Sequence, residues 1–266
     1  MFLTAAAILV GAYGTIAAAA YFAQGALIYP APRAIAPKTG GFEEISYPTA
    51  DGLDLVAGYR AAEGGKPTVV YFHGNGADWT SSVVATDRLV PNGYGVLAAE
   101  YRGYRGNPGS PSEQGFYKDG QAAFAYLASR GVAADSIVVI GNSIGSGVAV
   151  QMAVDHSPLA LVLISPFASL TQLVAEKARW LPTGLLLRDR YDNHRKLPDV
   201  AAPILILHGD ADTLIPHPHA NRLAQANASA RLIIFEGYGH DLAWHDVAED
   251  AVLEFLHAQT SERAGE

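Results

Sequence analysis

The sequence predicts an α/β protein: a mostly parallel, doubly wound sheet with a small lid insertion and a hydrophobic N-terminal helix. Three observations carry that expectation. Short apolar runs recur over residues 68–72, 95–99, 136–140, 159–164, 204–207 and 232–235. Stretches of helical length separate them, over 81–90, 113–129, 144–155, 217–228 and 247–258. Strands apolar on both faces and spaced by helices belong to a parallel sheet covered on both sides. The 266 residues are 50% hydrophobic and 17% charged, enough apolar material for a sizeable core.

The chain begins with an apolar segment. No charged side chain precedes Arg33, and residues 2–27 are mostly Ala, Leu, Ile, Val, Phe and Gly. Crossing a bilayer as a helix takes roughly 20 apolar residues. Residues 1–32 are therefore expected to form a single-pass membrane anchor and its junction. Tyr21, Phe22 and Tyr29 fall towards one interface, and Pro30 and Pro32 stop the helix. A cleaved signal peptide is a second reading, with Ala17-Ala18-Ala19 as its cleavage site. Against it stand the missing basic n-region and an apolar run beyond the usual 7–15 residues or so. A helix packed on the soluble domain is a third. Arg33 and Lys38 lean towards a cytoplasmic domain by the positive-inside rule, but the side of the membrane stays open.

Residues 40–260 form the second unit. It opens with a strand pair over 44–47 and 53–59, joined by the hairpin signal Asp51-Gly52. Between the apolar runs ending at 164 and starting at 204 lie about 40 residues, longer than an ordinary crossover. Two short helices are expected there, over 171–180 and 184–190, so 165–200 reads as a lid or as a crossover with a long loop. The formal charge is −8, with 18 basic residues and no basic run, which argues against a nucleic-acid partner. The absence of cysteine removes disulfides, thiolate metal sites and cysteine nucleophiles. Oligomeric state is not legible.

The chemistry centres on Gly141-Asn142-Ser143-Ile144-Gly145, between a buried strand and a helix. That is the pattern of a nucleophile elbow. Glycines two residues either side of the serine let strand and helix approach closely. The helix start aims the Ile144 N–H at a developing oxyanion. After the strand over 68–72 comes His73-Gly74-Asn75-Gly76, whose Asn75 is expected to supply the second oxyanion N–H from its backbone. His73 is expected to be structural, bonded to nearby backbone. A serine needs a base, and His240 follows the last strand in a Gly-Tyr-Gly turn. Asp210 and Asp212 stand just past the strand over 204–207, whereas the preceding strand offers no carboxylate until Glu176. His208, Asp210, Asp212, His217 and His219 cluster in sequence, but their spacing matches no metal motif. No metal and no organic cofactor is expected.

His73-Gly-Asn-Gly76, residues 101–113 (YRGYRGNPGSPSE), Gly141–Gly147, His208-Gly-Asp-Ala-Asp212 and Gly237-Tyr-Gly-His240 together resemble one group. It comprises α/β-hydrolase-fold serine hydrolases with a single N-terminal membrane anchor, including depalmitoylase-like and bacterial esterase-like members. The likeness runs over about residues 20–258 in motif order, and Ala26-Leu-Ile-Tyr-Pro30 is similar to that group's anchor junction. The resemblance implies a triad of Ser143, Asp212 and His240, with Asp212 rather than Asp210 as the acid. It also implies hydrolysis of a carboxylic ester or thioester on a small-molecule or acyl-chain substrate, without a cofactor. A peptidase or acyltransferase on the same residues, and a non-catalytic binding protein of this fold, are the alternatives. Arg105 departs from the group's pattern and is expected to bond loop carbonyls.

Overall fold

The apolar runs become the inner strands of one sheet, in a computed structural model that describes residues 2–32 and 40–264. The strands are β1 (Glu43–Pro48), β2 (Asp54–Arg60), β3 (Thr68–Phe72), β4 (Gly95–Ala99), β5 (Ile137–Asn142), β6 (Ala160–Ile164), β7 (Ile204–Gly209) and β8 (Ala230–Phe235). Their spatial order is β1-β2-β4-β3-β5-β6-β7-β8. The β1–β2 hairpin and the β2–β4 pair are antiparallel, and all other pairs are parallel. β3 to β7 are buried at every position, as continuous apolar runs require, whereas edge strand β8 is only half-buried.

Helices cover both faces. On one lie α3 (Glu113–Ser129), α4 (Gly145–His156) and α8 (Pro218–Ala226), contributing Phe116, Met152 and Leu223 to the larger core. On the other lie α2 (Trp79–Val84) and α9 (Asp246–Ala264), contributing Trp79, Val252 and Leu256. The chain winds outward from β3 through β4 in one direction and from β5 through β8 in the other. The loops after β3 and β5 thus part at the carboxyl ends of neighbouring strands, where open α/β sheets leave a crevice.

Two boundaries differ from expectation. The helix expected over 81–90 starts at Trp79 and ends at Val84, because Asp78 caps it, accepting from Thr80 and Ser81 N–H in a capping box. Residues 165–200 hold three short helices, not two: α5 (Leu170–Lys177), α6 (Thr183–Leu186) and α7 (Asn193–Lys196). The N-terminal segment is one helix, α1 (Phe2–Ile28), long and apolar enough to cross a membrane by length and composition. Its first half is exposed and its end lies against the 165–200 insertion. Arg33 and Lys38, which bear on the side of the membrane, lie outside the described residues.

Candidate active site

Close backbone approach builds the elbow. Ser143 sits at φ +53, a left-handed conformation that costs a non-glycine residue energy and is held by the packing around it. A Cβ on Gly145 would stand 2.1 Å from the Phe72 carbonyl oxygen, and one on Gly141 would stand 2.6 Å from Ala149 Cβ. Only glycine lets α4 start this near β3 and β5. The Ser143 N–H donates to Ile164 O at 3.0 Å, leaving the side chain at the strand end facing the crevice.

His240 bridges Ser143 and Asp212. Ser143 Oγ lies 2.9 Å from His240 Nε2, and His240 Nδ1 lies 2.7 Å from Asp212 Oδ2. Three elements far apart in sequence converge because β5, β7 and β8 all end on this edge. Asp212 Oδ1 also accepts the N–H groups of Leu214 and Ile215, at 2.9 and 2.8 Å. Burial pushes its carboxyl pKa up, but the hydrogen bonds from His240 and Ile215 outweigh it, and the net position lies below the ordinary value. An ionised carboxylate only accepts, so Nδ1 carries the imidazole proton and Nε2 is free to take one from Ser143.

The other carboxylate does something else. Asp210 accepts from Gly237 N–H at 2.7 Å and so braces the turn that carries His240. A Cβ on Gly209 would fall 2.1 Å from the Tyr238 carbonyl oxygen, so β7 and this turn touch backbone to backbone. His208 is buried, donates from Nε2 to Ile215 O at 2.8 Å, and is held below its ordinary pKa by burial. His219 instead pairs with Glu176 at 3.1 Å. Asp210 and His219 therefore serve contacts of their own, while His208 Nε2 also stands 3.5 Å from Asp212 Oδ2. Among the described residues no group of three or more His, Asp or Glu could hold a metal ion.

Asn75 and Ile144 line the same cavity as Ser143. Neither backbone N–H meets an acceptor among the described residues. The Asn75 side chain is occupied, donating to Ile28 O at 2.6 Å and accepting from Tyr104 O–H at 3.0 Å. Gly76 N–H donates to Pro30 O at 3.1 Å. The end of α1 thus holds the loop that carries Asn75.

Sequence reasoning missed much of what supports this loop. His73 bonds to the Gly74 carbonyl at 2.9 Å as expected, but its Nε2 also meets Glu100 Oε1 at 2.7 Å in full burial. Burial pushes the His73 pKa down, yet the Glu100 charge and hydrogen bond outweigh it, and the net shift is upward. Both ring nitrogens face acceptors, the arrangement an imidazolium fits. A lone carboxylate ending the apolar run over 95–99 was the available signal. Tyr101 O–H donates to His73 O at 2.9 Å, so the 101–113 segment braces the loop that carries Asn75 through Tyr101 and Tyr104. The expectation that Arg105 bonds loop carbonyls is corrected. Its guanidinium donates to Asp78 Oδ2 at 2.6 Å and lies 5.2 Å from the Trp79 ring centroid. Asp78 is fully buried, and a buried charge needs a counter-charge.

The cavity at Ser143 has a volume of about 370 Å³ and an apolar lining that includes Leu27, Ile28, Phe167, Leu170, Val174 and Leu214. Among the described residues its one charged lining residue is Lys177, whose Nζ donates to Thr213 O at 2.6 Å.

Known proteins place this architecture. The family model described as serine aminopeptidase, S33 matches residues 65–193, and one described as TAP-like protein matches residues 178–266. The uncharacterized protein Rv2307c of Mycobacterium tuberculosis is 36% identical over 245 residues, covering 88% of this chain and 87% of that protein. YfhR of Salmonella typhi, also uncharacterized, is 26% identical over 264 residues, covering 90% of this chain and 89% of its own. Among solved structures, the Pyrococcus furiosus esterase Pf2001 is similar with a TM-score of 0.71 at 19% identity, over 88% of this chain and 98% of that one. The esterase EaEST of Exiguobacterium antarcticum is similar with a TM-score of 0.60 at 17% identity, over 83% and 99%. The eight-stranded sheet, the matched family models and the mycobacterial relative together make this chain a member of the α/β-hydrolase family.

Proposed function

We propose that this chain is a serine hydrolase that cleaves a carboxylic ester or thioester of an acyl chain, and that α1 anchors it to a membrane. The observation that carries the reading is His240, within hydrogen-bond reach of Ser143 on one ring nitrogen and Asp212 on the other. Ser143 Oγ attacks the carbonyl carbon and its proton passes to His240 Nε2, while the carbonyl π pair moves onto oxygen. The N–H groups of Asn75 and Ile144 receive that oxyanion. Collapse breaks the bond to the alcohol or thiol, which leaves with the proton from His240. Water then repeats the sequence on the acyl-enzyme: His240 takes its proton, the acid departs and Ser143 regains its hydrogen. Asp212 stabilises the imidazolium in both halves.

The lining favours an acyl chain. A serine aminopeptidase, which one matched family model describes, has to hold a substrate ammonium group. Here the one charged lining residue among those described is the cation Lys177, which repels it, while the remaining wall suits methylenes. A fluorophosphonate should label the wild type and not Ser143→Ala. Folded wild type that takes no label supports a binding protein of this fold instead. For the anchor, the full chain should sediment with membranes and resist carbonate extraction. A soluble product shortened within residues 17–30 supports a cleaved signal.

A further inference from the structure

The cavity at Ser143 does not end there. A second, of about 170 Å³, lies between α1 and the 165–200 insertion and shares Leu27, Ile28 and Val174 with the first. With these three side chains in common the two cavities adjoin along α1, from the Ser143 side as far as Ala20. One wall is the helix itself, through Ala20 and Tyr21. The opposite wall is Leu181 and Leu186 of the insertion.

Helix and insertion are fastened together along this groove. Gln24 is only 4% exposed; its amide donates to Leu186 O at 3.2 Å and accepts from Arg188 N–H at 2.9 Å. Towards the helix start the contact continues: Tyr13 O–H donates to Trp180 O at 2.9 Å and the two rings meet edge to face.

Depth follows from helix geometry. At 1.5 Å per residue, Tyr13 lies about 22 Å along the helix from Ile28, with only about 16 Å of helix beyond it. A hydrocarbon core is about 30 Å thick, so an α1 that crosses it carries the contact with Trp180 below the headgroups. Trp180 is 55% exposed and Leu185 86% exposed on this insertion. The Arg188 guanidinium stands 5.3 Å from the Tyr21 ring centroid, nearer the soluble domain. Arg188 and Tyr21 thus suit the headgroup level, where snorkelling cations and amphipathic rings lie.

We propose that α1 and the insertion form a lateral channel through which one acyl chain of a membrane-resident ester or thioester passes from the bilayer to Ser143. The anchor helix is thus part of the substrate site, with Leu27 and Ile28 against the chain near its carbonyl and Ala20 against its far end. The inference rests on the hydrolase reading above.

The test uses the full chain in mixed micelles, with p-nitrophenyl palmitate and butyrate as substrates. Ala20→Trp and Val174→Trp should each lower the palmitate-to-butyrate ratio of kcat/KM at least tenfold. Leu9→Trp, on the exposed start of α1, should keep the wild-type ratio. A second measurement does not depend on the folding of variants. A sixteen-carbon alkyl fluorophosphonate carrying a terminal diazirine, once attached to Ser143 with loss of fluoride, should crosslink on irradiation to residues 20–28 or 181–187. Crosslinks confined elsewhere, or unchanged ratios in folded variants, overturn the channel while leaving the hydrolase reading intact. A folded wild type that neither turns over butyrate nor takes the probe overturns both.

Discussion

Gly145→Ala tests whether the site depends on the close approach of α4 to β3. The new methyl would stand 2.1 Å from the Phe72 carbonyl oxygen and 2.8 Å from the His73 carbonyl oxygen, both main-chain atoms that cannot rotate away. Relief requires the start of α4 to move by roughly 1 Å, and a misplacement of that size costs on the order of 100-fold in turnover. Ser143 lies two residues upstream of the shift, so its 2.9 Å contact with His240 stretches directly. Overpacking of this kind destabilises by about 1–3 kcal/mol. For a domain of this size that lowers Tm by roughly 2–12 °C. Gly184→Ala is the control, since a Cβ there meets nothing within 4 Å. The assay is kcat/KM on a short soluble ester, with thermal unfolding alongside. A Gly145→Ala protein within threefold of wild type in turnover, and within a degree or so in Tm, refutes the argument from close approach.

Other outcomes follow from the same geometry. Asp212→Asn keeps the shape but lets an amide N–H face His240 Nδ1, so kcat should fall on the order of 10⁴-fold; retention of more than a tenth of the activity would remove Asp212 from the acid role. Arg105→Ala leaves the buried Asp78 carboxylate without its counter-charge. It should cost on the order of 3 kcal/mol in denaturant unfolding, with Arg105→Lys recovering part. Glu249 is pushed up to about 7 by burial, against an ordinary 4.5. The fold therefore favours its protonated form, and stability present below pH 4.5 declines as pH rises towards 7. Gln mimics that form and still accepts from Arg88 N–H, so Glu249→Gln should match wild type in Tm near pH 4.5 and exceed it above pH 7.

What the sequence made legible was what chain-local physics writes. Fully apolar runs such as Thr68–Phe72 announce parallel inner strands, Asp51-Gly52 announces a hairpin, and Gly141 and Gly145 flank a tight strand-to-helix turn. The limits were equally physical. Nothing local tells that β4 lies outside β3, so the meeting of Glu100 with His73, 27 residues earlier, cannot be read from either neighbourhood. The buried apolar residues of the six-residue helix after Asp78 give too little periodicity to set its bounds. Arg105 paired with that same Asp78 across the loop, a contact set by tertiary packing alone.

Two oddities of the sequence resolve each other in three dimensions. Gln24 is the only side-chain amide in a 27-residue apolar helix, and its polar atoms demand partners that neither lipid nor an apolar surface supplies. The surplus chain between β6 and β7 is longer than a crossover needs, and a segment of short helices leaves main-chain groups at its ends unpaired unless something meets them. The Leu186 carbonyl and the Arg188 N–H are two such groups, and the Gln24 amide answers both. Ile28 and Pro30, just beyond, then fix the loop that carries Asn75. A helix that served only as a tether would need none of these bonds. Their presence ties α1 to the insertion on one side and to the Asn75 loop on the other, so a change in the seating of α1 reaches the loop beside Ser143.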